Sequence, residues 1–110
     1  MKLTPPVELP DDLLKGTWLV VARNSRVNKS WEDLCARNPE KSKECYKHLS
    51  QTPTKRKPKK IFPLRGKKYK GAWEYEFSSG DRVFYIPDLQ GKKVEVYYAD
   101  KHPKGNAPSP

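Results

Sequence analysis

Nine lysines and arginines fall within residues 55–70, "KRKPKKIFPLRGKKYK", with no carboxylate among them. Outside this stretch the chain holds 14 basic and 13 acidic residues, so the stretch carries nearly all of the net charge of +10. Cations at that density suit a polyanionic partner, either nucleic acid or an acidic protein. Glu74, Glu76 and Arg82 follow at once. A guanidinium is a planar fork that matches two phosphate oxygens, and a carboxylate can accept a proton from a hydroxyl. The same three side chains can also simply pair with one another across a hairpin.

Which of these happens depends on the elements that carry them. "TWLVVAR" (17–23) is a β-branched and aromatic run that reads as a well-buried first strand, after a possible helical turn in "PDDLLKG". Val27, Trp31, Leu34 and Cys35 then recur at helical spacing. Asn38-Pro39 interrupts that helix and starts a second, roughly 39–51, with Ser42, Cys45, Tyr46 and Leu49 on one side. "KIFPLR" is a short strand whose Pro63 belongs at a sheet edge or bulge. "AWEYEF" (72–77), "DRVFYIP" (81–87) and "KKVEVYYA" (92–99) follow as a meander, joined by "SSG" and "DLQG", whose glycines are expected at positive φ. The expected fold is α+β: an N-terminal strand and a helical hairpin packed on one face of a small, mostly antiparallel sheet. Residues 1–12 are expected to be flexible, 13–102 to form one domain, and 103–110 to be a disordered tail.

Strand alternation assigns the two faces. "WEYEF" sets Trp73, Tyr75 and Phe77 against Glu74 and Glu76. Burying two carboxylates costs several kcal/mol, so the aromatics belong beneath the helices. A three-residue "SSG" turn with a bulge sends Val83 and Tyr85 inward and leaves Arg82 on the open face with Glu74 and Glu76. Tyr97 shares a face with Glu95, where it can stack on a base or merely cover the sheet. Within the basic stretch, Ile61, Phe62, Leu64 and Tyr69 can anchor the chain while Lys59, Lys60, Arg65, Lys67, Lys68 and Lys70 project as a clamp for a nucleic-acid backbone.

Other features restrict the possibilities. Cys35 and Cys45 lie ten residues apart without a CxxC or a histidine at ligand spacing, and read as buried structural thiols, with a disulfide or a metal role as the alternatives. "MKLTPPVELP" lacks the apolar run of a secretory signal, and no stretch approaches the ~20 apolar residues of a membrane span. A cytoplasmic protein is expected, with no membrane partner, metal or small-molecule cofactor.

The last third of the chain adds a resemblance. "WEYEFSSGDRVFYIPD" and "VEVYYADKHPK", with the order of elements over residues 17–104, resemble the RelE/ParE superfamily of bacterial toxins. The resemblance implies a cognate antitoxin and one of two activities. One is metal-independent cleavage of mRNA, on the ribosome, by 2′-OH attack; the other is inhibition of DNA gyrase without RNA chemistry. A non-toxic RNA-binding module with the same fold is a third possibility. The resemblance further implies that Arg82 meets the scissile phosphate, that His102 is the general acid, and that Arg65 contacts phosphate. The chain departs from the family at Phe62, where some relatives keep a catalytic Glu. It departs again at "WEYEF", which replaces a pair of lysines. Glu74 or Glu76 is therefore the candidate base in place of the family's own.

Overall fold

Two asparagines start the two helices. Asn24 accepts the Val27 N–H at 3.0 Å and opens α1 (Ser25–Arg37). Asn38 does two jobs: its N–H closes α1 on the Leu34 carbonyl at 2.9 Å, and its side chain accepts from Lys41 to open α2 (Pro39–Gln51). With Pro39 at the first helical position, the hairpin needs no further linker. The structure is a computed structural model that describes residues 1–6 and 18–110. The expected turn in "PDDLLKG" and positions 7–12 of the N-terminal segment lie outside the described residues.

The strands are β1 (Leu19–Ala22), β2 (Ile61–Pro63), β3 (Trp73–Glu76), β4 (Asp81–Asp88) and β5 (Lys93–Lys101). They form one sheet in the order β1-β5-β4-β3-β2, parallel only between β1 and β5. Both helices lie on one face, as the alternation requires. Trp31 and Leu34 from α1 and Cys45, Tyr46 and Leu49 from α2 are buried against Val20, Val83, Tyr85, Val94 and Val96. Pro63 sits on the edge strand. β3 and β4 pair Tyr75 with Val83, Trp73 with Tyr85 and Glu76 with Arg82, which is the expected register.

Three details differ from the sequence reading. Gly80 and Gly91 do not adopt positive φ; in the second hairpin Lys92 does, at +50°. The Asp88 carboxylate closes that turn on the Gln90 and Gly91 N–H groups, and a Cβ at Gly91 would meet it at 2.8 Å. Close approach, not left-handed backbone, explains that glycine. The strand irregularity lies between β4 and β5, where Tyr97 is the extra residue, rather than at the "SSG" turn alone. The segment expected to be flexible is held over residues 1–6: Lys2 bridges Val21, Leu3 is fully buried, and the Thr4 carbonyl accepts from Trp31 Nε1 at 2.7 Å.

His48 joins α2 to the sheet. Tyr85 gives its only hydroxyl proton to the Pro53 carbonyl (2.7 Å), so its oxygen accepts from His48 Nε2, 3.2 Å away. Burial holds this ring neutral and lowers its pKa to about 4. An unfolded histidine takes up a proton near its ordinary 6.5. Stability is therefore at its full level above about pH 6.5, falls as pH drops towards about 4, and is constant with respect to this group below that. After allowance for solvent screening at a half-buried ring, the loss is about 1–2 kcal/mol. Urea titrations at pH 7 and pH 4.5 should show it as a difference between wild type and His48→Gln, the variant being less pH-sensitive.

Candidate functional site

The open face of the sheet, away from the helices, carries every side chain singled out for chemistry on β3, β4 and β5. At its β3–β4 end Glu74, Glu76 and Arg82 come together. Arg82 Nε lies 3.4 Å from a Glu74 oxygen and Nη2 3.7 Å from Glu76. Nη1 donates to the carbonyls of Ser78 (2.7 Å) and Asp81 (2.9 Å) in the turn. The three side chains are 14%, 17% and 29% exposed for Arg82, Glu74 and Glu76 respectively, so Glu76 is the more open carboxylate. In this arrangement the guanidinium is a pin for the turn and a counter-ion for two acids at once.

His102 is brought to the same corner by backbone. Its N–H donates to the Gly80 carbonyl at 2.8 Å, and alternation from Asp100, opposite Arg82, returns it to the open face. The ring is exposed. Nδ1 lies 2.8 Å from the Pro103 carbonyl. A carbonyl only accepts, so Nδ1 carries a proton and Nε2 is left for another partner. No hydrogen bond among the described residues joins the ring to Arg82, Glu74 or Glu76. Asp100 adds a third carboxylate that the sequence reading missed; stepping back two residues from His102 along β5 would have found it. The corner on its own is therefore acidic.

Cations reach it from the edge. Glu76 N–H donates to the Lys60 carbonyl at 2.8 Å, so the basic stretch runs directly past the carboxylates. All nine of its lysines and arginines are exposed, and none is in an ion pair among the described residues. Lys59, Lys60 and Arg65 flank β2, while Lys67 and Lys68 lie on a 3₁₀ turn that Lys70 follows. Ile61 packs on the main core and Leu64 and Tyr69 on a small cluster beneath the open face, as expected of anchors; Phe62 joins neither.

Tyr97 is covered. It is 7% exposed, and its hydroxyl donates to the Pro108 carbonyl at 2.9 Å, as Tyr69 does to Ala107. Residues 103–110, expected to be disordered, carry no strand or helix, yet Gly105 at φ +76° turns them back over the sheet. Of the two roles open to Tyr97, this arrangement meets the covering one, because a base cannot stack where the tail already lies. Burial also lifts the Tyr97 hydroxyl to about 12. Cys45 is fully buried and Cys35 is a free thiol that burial pushes up to about 11, consistent with packing roles. Among the described residues no group of three or more His, Cys, Asp or Glu side chains could hold a metal ion, and no helix is long and apolar enough to cross a membrane.

The architecture is thus α+β, a helical hairpin on a five-stranded mixed sheet. A solved structure with a similar fold is the YoeB/ParE toxin from Agrobacterium tumefaciens, with a TM-score of 0.55 and 23% sequence identity. The match covers 76% of this chain and 98% of that one. No protein-family model matches the chain, and no curated protein matches it significantly.

Removing the pin should be costly whatever the corner does. Arg82→Ala removes two hydrogen bonds to turn carbonyls and leaves two carboxylates facing each other without their counter-ion, and should lower unfolding free energy by about 1–3 kcal/mol. Arg82→Lys should not restore it, since one ammonium cannot serve both the turn and the acids. Urea denaturation of the three proteins checks this.

Proposed function

We propose that this chain is the toxin of a toxin–antitoxin pair and that it cleaves mRNA, on the ribosome, without a metal. The observation that supports this best is the row Lys60–Glu76–Arg82 beside the β3–β4 turn, with His102 on the turn's own backbone. The row puts a base, a guanidinium and an imidazole at one end of an unpaired run of cations. In the reaction Glu76 takes the proton of the ribose 2′-OH. The 2′-oxygen bonds to phosphorus and the bond to the 5′-oxygen breaks, leaving a 2′,3′-cyclic phosphate. A protonated His102 gives its Nε2 proton to the departing oxygen. The Nε–Nη2 edge of Arg82 receives the phosphorane charge by exchanging a carboxylate for phosphate oxygens. Lys67, Lys68 and Lys70 neutralise neighbouring phosphates, and a cognate antitoxin with an acidic segment would block the same cations.

A second reading has its own observation. Arg82 already pairs with two carboxylates and bonds two turn carbonyls, a structural role that needs no substrate to explain it. That favours a non-catalytic inhibitor, such as one directed at DNA gyrase. Expression of the chain alone should arrest growth, and primer extension should show new mRNA ends within translated regions. Glu76→Gln should slow cleavage by about 10²–10⁴-fold, while removing one negative charge from the corner should tighten RNA binding. Arrest with intact mRNA and linearised DNA would replace the first reading with the second.

A further inference from the structure

Three hollows adjoin one another along the free edge of β2. The first, of about 280 Å³, is bounded by Lys41, Glu44, His48, Lys57, Lys60 and Glu76. The second, about 450 Å³, shares His48, Lys57 and Ile61 with it and adds Thr52, Lys55 and Arg56. Arg56 also lines the third, about 420 Å³, which reaches Phe62 and Arg65 on the open-face side. Together they make one trough that wraps the sheet edge from α2 to the open face.

Glu44, paired with Lys41, and Glu76 line the end of the trough at α2 and the corner, and the rest of its charged wall is cations without partners. Lys55, Arg56 and Lys57 are exposed and in no ion pair among the described residues. The turn that presents them is held by reciprocal hydrogen bonds between Lys57 and Ile61, both 2.8 Å, and by Lys59 at φ +67°. A lysine in left-handed backbone carries strain that the surrounding bonds must hold. Phe62 lies opposite Glu74, half-exposed and outside both apolar clusters, so packing does not account for it. Lysines and arginines beside an unused aromatic face are the chemistry of single-stranded nucleic acid: the cations follow the backbone and the ring takes a base. The alternative path across the open face is closed at Tyr97 by residues 107–108. The trough passes Lys60, whose carbonyl is bonded to Glu76, and so leads to the acidic corner.

We infer that this trough is a track for single-stranded RNA, with Lys55, Arg56 and Lys57 on phosphates and Phe62 stacked on a base. The inference rests on the RNA reading above but concerns binding, so a probe that cannot be cut separates the two. Binding of a short single-stranded oligoribonucleotide with methylated 2′-hydroxyls, followed by fluorescence anisotropy across a salt series, provides the test. Replacing Lys55, Arg56 and Lys57 together by Ala should lower the log–log salt slope by roughly two. Phe62→Ala should weaken binding by about 5- to 100-fold with the slope unchanged, Phe62→Leu should weaken it similarly, and Phe62→Trp should restore it. All these positions are exposed or half-exposed, and unchanged thermal midpoints confirm the fold.

The track is overturned if the wild type does not bind the probe, if the triple variant keeps the wild-type slope, or if duplex RNA binds as tightly as the single strand. It is also overturned if polyglutamate displaces the probe while Phe62→Ala has no effect, which would make the trough a protein-docking surface. Binding as described, with intact mRNA in arrested cells, would uphold the track and remove the ribonuclease reading.

Discussion

Glu74 and Glu76 alternate with three aromatic residues on one short strand, and two carboxylates cannot lie beneath a helical hairpin without partners. That cost orients β3, and β3 orients its neighbours. With Trp73, Tyr75 and Phe77 turned to the helices, the register with β4 can bury Val83 and Tyr85 only by placing Arg82 outside, opposite Glu76. The arginine then serves the acids that fixed its position and ties down the turn it leaves by. The grouping that is a candidate for chemistry is thus also the grouping that keeps the sheet from slipping.

Charge is divided in space as a result. The corner gathers Glu74 and Glu76 around one guanidinium, with Asp100 opposite it in register, while the nine cations of residues 55–70 stay on the rim, all exposed. A second ion pair, Arg23 with Glu95 at 3.1 Å, places another guanidinium over the Tyr97 ring, 5.2 Å away, at the far end of the same face. An anion approaching from solvent therefore meets the rim first. The middle of the open face is apolar, built on Phe84, Ala72 and Tyr97 and closed by Ala107.

Local patterns made much of this legible in the sequence. Helical spacing of Trp31 and Leu34, the Asn38-Pro39 break and the alternation of "WEYEF" each depend on neighbours a few residues away, and the hairpin and register follow from them. What depends on distant chain was hidden. His48 looks like surface filler on its helix until Tyr85 and Pro53 are placed beside it. Tyr97 looks free until residues 107–108 fold back over it. Of the candidate site, the meeting of Arg82 with both carboxylates was visible from register alone. The position of His102 beside Gly80 rested on family resemblance, and its backbone bond is what the fold supplies.

β5 lies between β1 and β4, so it is the strand that joins the first third of the fold to the meander. It is also the last of the five to leave the ribosome. While residues 93–101 are still inside the exit tunnel, Val20 and Ala22 have no parallel neighbour, and the helical hairpin has only a partial sheet to cover. The β2–β3–β4 meander can form by then, but its β4 edge stays open to any strand within reach. Completion of the sheet waits on residues far along the chain. A nascent chain short of that point has its cations but not the sheet that aims them.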